Sequence, residues 1–117
     1  MQINQNIFRA YDIRGIASED LSNEFVSSLG SSLSHKIKKL GLKQVAVARD
    51  GRLSGERICS ALVKSFLDNG INVINVGMVP SPLLYFGVEK FNTENGVMIT
   101  GSHNPKEYNG FKMILGG

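Results

Sequence analysis

A single cysteine, Cys59, stands among the 117 residues, so no disulfide can close within the chain. It falls in the middle of a periodic apolar segment, where a buried packing role is favoured over a reactive thiol. No window approaches the ~20 apolar residues that a membrane helix requires. The opening Met1-Gln2-Ile3-Asn4-Gln5-Asn6 has neither the basic start nor the apolar core of a signal peptide. A cytoplasmic protein without a membrane partner is therefore expected. Long basic tracts are missing too: 13 Lys+Arg against 10 Asp+Glu leave a net charge of +3, and the cationic residues are scattered. Nucleic acid is not implied as a partner, although a small anionic ligand would suit a few convergent charges. There is no Gly-x-x-x-x-Gly-Lys-Ser/Thr phosphate loop and no Gly-x-Gly-x-x-Gly fingerprint, and Gly-x-Ser-x-Gly would need glycine where Thr100 and Asn104 stand. Lone His103 and Cys59 do not make a metal site, and Asp12, Asp20, Asp50 and Asp68 are scattered along the chain.

What remains is ordinary globular composition, 42% hydrophobic and 20% charged, in a length that suits one domain. Ser22 precedes Phe25, Val26, Leu29, Leu33, Ile37 and Leu40 at helical spacing, with Gly41 as the stop, so a helix of about five turns is expected. Lys43 to Asp50 reads as a strand around Val45-Ala46-Val47-Ala48, followed by the loop Arg49-Asp50-Gly51-Arg52. Ser54 can cap a second helix that ends at Asn69-Gly70. His35 belongs to the first helix and is expected to face solvent. A strand from Ile71 to Val76, a helix from Ser81-Pro82 through about Phe91, and strands at Gly96 to Thr100 and Gly110 to Leu115 complete the pattern. This alternation predicts an α/β fold, a three-layer α/β/α arrangement with a mainly parallel sheet. The loops beginning at Arg49, Gly77 and Gly101 leave the carboxyl ends of strands, where such sheets place ligands. Gly116-Gly117 follow the last strand at once, so residues 1–117 are expected to form one α/β domain that stops within or just short of completion.

The run Val97-Met98-Ile99-Thr100-Gly101-Ser102-His103-Asn104-Pro105-Lys106-Glu107-Tyr108-Asn109-Gly110-Phe111-Lys112 carries the chemistry. An apolar stretch ends in a small polar turn with one hydroxyl among cationic and amide groups. Phosphoryl transfer needs an acceptor oxygen, in-line positioning, and donors or positive charge around the migrating oxygens. Ser102 supplies the oxygen, Gly101 permits close backbone approach, and Lys112 returns on the next strand. On residue chemistry alone the run is equally an ordinary turn, since Ser, Asn, Pro and Gly are common turn formers. Arg14 is by the same measure a surface arginine.

The run resembles the phosphoserine loop of the alpha-D-phosphohexomutases. Phe8-Arg9-Ala10-Tyr11-Asp12-Ile13-Arg14-Gly15, Arg49-Asp50-Gly51-Arg52-Leu53-Ser54-Gly55 and Gly77-Met78-Val79-Pro80-Ser81-Pro82 are similar to three further stretches of that family, in the expected order. The resemblance implies an isomerase, an intramolecular phosphotransferase in which Ser102 is carried as phosphoserine. Its substrate would be a hexose phosphate, with hexose 1,6-bisphosphate as intermediate and activator. Tyr11 and Arg14 match positions lining the catalytic centre, and Lys112 matches a lysine proposed in proton transfer or charge neutralisation. His103 and Asn104 match supporting loop residues, with His103 open between bracing the backbone and moving a proton. Arg49 and Arg52 organise their loop in preference to touching substrate. The resemblance also implies Mg²⁺, bound through a Ser102 phosphate oxygen and an aspartate cluster in a later domain. Four domains make up the full enzyme, so the 117 residues alone are expected to be inactive and to need the missing C-terminal domains as partners. Tyr11-Asp12-Ile13-Arg14-Gly15 and Tyr108-Asn109-Gly110-Phe111-Lys112 favour the phosphomannomutase/phosphoglucomutase branch over phosphoglucosamine mutase. The remaining alternative is a non-enzymatic α/β module that binds phosphate or protein through the same sheet edge.

Overall fold

Residues 8–79, 95–101 and 107–116 are described by a computed structural model, the side chains of residues 8–12 excepted. Within them run β1 (Phe8–Ile16), α1 (Ala17–Asp20), α2 (Asn23–Lys39), β2 (Gln44–Arg49), α3 (Leu53–Asp68), β3 (Asn72–Met78), β4 (Gly96–Ile99) and β5 (Tyr108–Gly116). The helix expected from Ser81 to Phe91 lies outside the described residues, and so does the second helical layer it would supply.

Helix α2 forms where its periodicity places it. Ser22 accepts a hydrogen bond from the Phe25 amide at 3.1 Å, Val26, Leu33 and Ile37 are buried, and Lys36, Lys38 and Lys39 in the last turn complement the helix dipole. His35 is exposed, as expected. In α3, Ile58, Cys59, Leu62 and Phe66 are buried, but the residue at the N-cap is Arg52 and not Ser54. Ser54 lies inside the first turn, where its Oγ accepts from Asn109 Nδ2 at 2.9 Å. A polar residue near a helix start can satisfy a tertiary partner instead of the helix's own amides, and that happens here. The two helices pack on each other, with the Ser65 hydroxyl donating to the Ser27 carbonyl at 2.7 Å.

Five strands form one sheet in the order β1-β5-β4-β2-β3. The α/β class holds. Strands β2, β3 and β4 are parallel, while β5 runs antiparallel to both β4 and β1. The sheet is therefore mixed, parallel on the β4-β2-β3 side and antiparallel on the β4-β5-β1 side. The reason is length, because residues 100–107 between β4 and β5 are too few for the dozen or more residues of a parallel crossover. Strand β1 had no expected counterpart, since Arg9, Asp12 and Arg14 interrupt any apolar alternation. An edge strand tolerates that.

Strand periodicity divides the sheet into two faces. Val45 and Val47, Val97 and Ile99, and Phe111, Met113 and Leu115 join the helix residues Ile37, Ile58, Leu62 and Phe66 in one apolar core. Ala48, Val79 and Met98 form a smaller cluster on the other face. At the amino end of β4, buried Asn95 ties the sheet together: its amide donates to the Gln44 carbonyl at 2.8 Å and its Oδ1 accepts from the Gly116 amide at 3.2 Å. A fully paired buried amide of this kind adds directional order to an otherwise apolar sheet.

Candidate active site

The antiparallel placement of β5 makes β1 run in the same direction as β4, β2 and β3. The carboxyl ends of β1, β4 and β2 and the amino end of β5 thus meet at one edge of the sheet. Arg14, Thr100 and Gly101, Asp50 to Arg52, and Tyr108 to Gly110 are gathered there.

Asp50 is the hub. Its Oδ2 accepts from Thr100 Oγ1 at 3.0 Å and from the Gly101 amide at 3.1 Å, while Oδ1 accepts from the Arg52 amide at 3.1 Å. Hydrogen bonds to an ionised carboxylate are among the stronger ones in proteins. The Arg52 guanidinium lies with Nε 3.5 Å from Asp50 Oδ2, and its Nη1 donates to the Tyr108 carbonyl at 3.0 Å. A methyl group on Gly101 would overlap that guanidinium, so the glycine is required for the close approach. Gly110 has the same explanation, since a Cβ there would strike the Ile13 carbonyl across the β1 ladder. Backbone bonds complete the edge: Asp50 N to Ile99 O and Thr100 N to Gly110 O at 3.0 Å, and Ala17 N to Glu107 O at 2.9 Å.

Ser102, His103 and Asn104 lie outside the described residues. Flanking them, the chain is fixed at Gly101 and at Glu107-Tyr108. Arg14 pairs in register with Gly110, and Lys112 with Asp12 on one side and Met98 on the other. Directly opposed residues share a sheet face, as do residues two apart. Arg14 and Lys112 therefore stand on one face, the one away from the Phe111 core. Arg14 Nη1 reaches the Gly101 carbonyl over a long 3.5 Å. Tyr11 pairs with Met113, out of step with the Asp12-Lys112 pair, and its side chain is among those not described.

Among the described residues no group of three or more His, Cys, Asp or Glu could hold a metal ion. Asp50, one of the acidic side chains at this edge, already accepts from Thr100, Gly101 and Arg52. The described residues thus do not fit a complete Mg²⁺ site. No described helix is long and apolar enough to cross a membrane. Burial pushes the Cys59 thiol above its ordinary range, against a smaller opposing pull from the Arg49 guanidinium, which agrees with a packing role.

Sequence reasoning did not find Asp50 or the Asn109-Ser54 contact. A signal existed for the first, because an aspartate that directly follows a buried strand stands at the ligand edge of the sheet.

Residues 5–117 match the family profile described as phosphoglucomutase/phosphomannomutase, alpha/beta/alpha domain I. A phosphoglucomutase from Neisseria meningitidis serogroup B is 50% identical over 115 residues, covering 98% of this chain and 25% of the relative. A phosphomannomutase/phosphoglucomutase from Pseudomonas putida is 46% identical over 112 residues, covering 96% of this chain and 24% of the relative. Among solved structures, a phosphoglucomutase/phosphomannomutase family protein from Burkholderia thailandensis superposes with a TM-score of 0.80 at 40% identity, covering 97% of this chain and 27% of that one. The chain spans about a quarter of the length of the curated relatives it matches. With its mixed sheet, its helices and its near-complete match to that profile, the chain belongs to the phosphoglucomutase/phosphomannomutase family, in the alpha/beta/alpha domain I.

Proposed function

We propose that this chain is the phosphoserine-bearing first domain of a cytoplasmic phosphohexomutase that interconverts hexose 1-phosphate and hexose 6-phosphate. The observation that carries this reading is the match of residues 5–117 to domain I, together with relatives named phosphoglucomutase and phosphomannomutase/phosphoglucomutase. The substrates are the glucose and mannose phosphates those names suggest.

In this reading a free sugar hydroxyl attacks the phosphorus of phosphoserine 102. The new P–O bond to the sugar forms as the bond to Ser102 Oγ breaks, the hydroxyl proton passes in net balance to the released Ser102 Oγ, and hexose 1,6-bisphosphate results. After the bisphosphate turns, Ser102 Oγ attacks the other phosphorus. The bond from that phosphorus to the sugar oxygen breaks, the oxygen gains in net balance the proton that the Ser102 hydroxyl gives up, and the serine is phosphorylated again without net loss of phosphate. Lys112 and Arg14 supply positive charge where the equatorial oxygens gather it, the largest kind of contribution a protein makes to phosphoryl transfer. His103 and Asn104 support the serine loop, while Tyr11, in register with Met113 on the face opposite Lys112, is not used in this reading. Mg²⁺ would add charge neutralisation when bound. Because the described residues do not fit a site for it, its carboxylate ligands come in this reading from chain beyond the 117 residues, and so do the remaining sugar contacts. The 117 residues alone are accordingly inactive.

The test is turnover of glucose 1-phosphate by the full-length protein, wild type against Ser102→Ala and Lys112→Ala, with thermal melts alongside. Ser102→Ala should lose nearly all turnover with an unchanged melt, because the acceptor oxygen has no substitute. Lys112→Ala should lose less, since Arg14 shares its charge role. Near-normal turnover in a folded Ser102→Ala protein overturns the mechanism.

A further inference from the structure

We propose that Arg52, held by Asp50, is a positioning residue that fixes the spacing between the two ends of the 102–106 stretch and so aims the Ser102 oxygen. This rests on the reading of Ser102 as the phosphoryl acceptor. The stretch leaves the sheet at Gly101 and returns at Glu107-Tyr108. One side chain reaches both ends: the Arg52 guanidinium lies against Gly101, where no Cβ would fit, and donates through Nη1 to the Tyr108 carbonyl at 3.0 Å. Asp50 joins the same unit, taking the Gly101 amide and the Thr100 hydroxyl on one oxygen and the Arg52 amide on the other.

Two features separate this from an ordinary surface pair. Both side chains are only 17% exposed, so solvent screens them far less than an exposed ion pair, and the contacts go to backbone groups whose positions define the loop mouth. The shape of the group also matters. A planar guanidinium can lie flat on a glycine while donating sideways from its fork, whereas a lysine ammonium is a point charge on a flexible stem. Arg52 also lies outside the apolar core that holds the sheet to α2 and α3. Its removal should therefore disturb the aim of the loop more than the fold. In-line transfer is sensitive to aim, and a misplacement of ~1 Å can cost about 10²-fold in rate.

The experiment compares full-length wild type, Arg52→Lys, Arg52→Ala and Asp50→Asn in steady-state kinetics with glucose 1-phosphate, with thermal melts on each. Ser102→Ala serves as the control. Arg52→Lys and Arg52→Ala should fall about 10²-fold in kcat with KM changed little and melts close to wild type. Added guanidinium chloride should restore part of the kcat of Arg52→Ala, while equal sodium chloride should not. A purely structural role would not produce that rescue. Turnover within twofold of wild type in Arg52→Ala, or a loss confined to KM, would overturn the proposal. Unfolding of all three variants would overturn it also, by showing that the pair holds the fold. If Ser102→Ala is inactive and the Arg52 variants are normal, the positioning role alone fails. If Ser102→Ala keeps its turnover, the reading of Ser102 fails and this proposal with it.

Discussion

Two regions of the same sheet are held by different forces. On the face covered by α2 and α3, Ile37, Ile58, Leu62, Phe66, Val97 and Phe111 are fully buried in one apolar cluster. At the carboxyl edge, Asp50, Arg52, Thr100, Asn109 and Ser54 are joined by directional hydrogen bonds of 2.9 to 3.1 Å, and glycines stand where backbones or a guanidinium approach closely. Apolar burial scales with area and is indifferent to direction, so it supplies stability without demanding one atomic arrangement. A hydrogen bond contributes only about 1 kcal/mol net, but it specifies where two atoms sit. Stability and the geometry of the carboxyl edge should therefore be largely separable.

Damage to the apolar face should produce the largest loss of stability. Phe66→Ala should cost about 3–5 kcal/mol, the usual range for a fully buried aromatic, with a clear fall in the urea midpoint. A loss below about 1 kcal/mol would mean that the face is less tightly packed than its burial indicates.

Cys59 sharpens the comparison with a smaller effect. The thiol is raised by burial, so the native state keeps its proton at pH values where the unfolded chain, with an ordinary value of ~8.5, has lost it. The corresponding stability is fully present below the unfolded value and is lost as pH rises through the raised native value. The urea midpoint of wild type should therefore decline above pH ~8.5 more than that of Cys59→Ala. Native Cys59 should also resist iodoacetamide at pH 8 and react once the chain is unfolded in urea. Rapid labelling of the native protein would show that this face opens easily.

The regions also differ in how much of them the sequence disclosed. Helix α2 was legible because Val26, Leu33 and Ile37 fall on one face after a serine cap, and β2 because four small apolar residues stand between polar ends. Both signals are local. Strand β1 was hidden because its polar residues sit on an edge, where hydrogen bonding to β5 replaces apolar alternation. The reversal of β5 followed from the shortness of the connection after β4, which is a matter of chain reach and not of residue type. At the edge, the placement of the turn from Asp50 to Arg52 and of Gly101 itself was legible from strand direction. The joining of Asp50 to Thr100 and of Ser54 to Asn109 was not, because each pair is separated by 50 residues or more. Such contacts are set by sheet order, and the order β1-β5-β4-β2-β3 has no local signature.

The proposed function requires that Ser102 receives a phosphoryl group. Its most direct test is peptide mass spectrometry of the full-length protein after incubation with glucose 1,6-bisphosphate, and again after a chase with glucose 1-phosphate. The account predicts one added phosphoryl group on the peptide containing Ser102, located on that serine and passed to sugar during the chase. An unmodified Ser102 in a protein that turns over substrate, or a phosphoryl group on another residue, would contradict it.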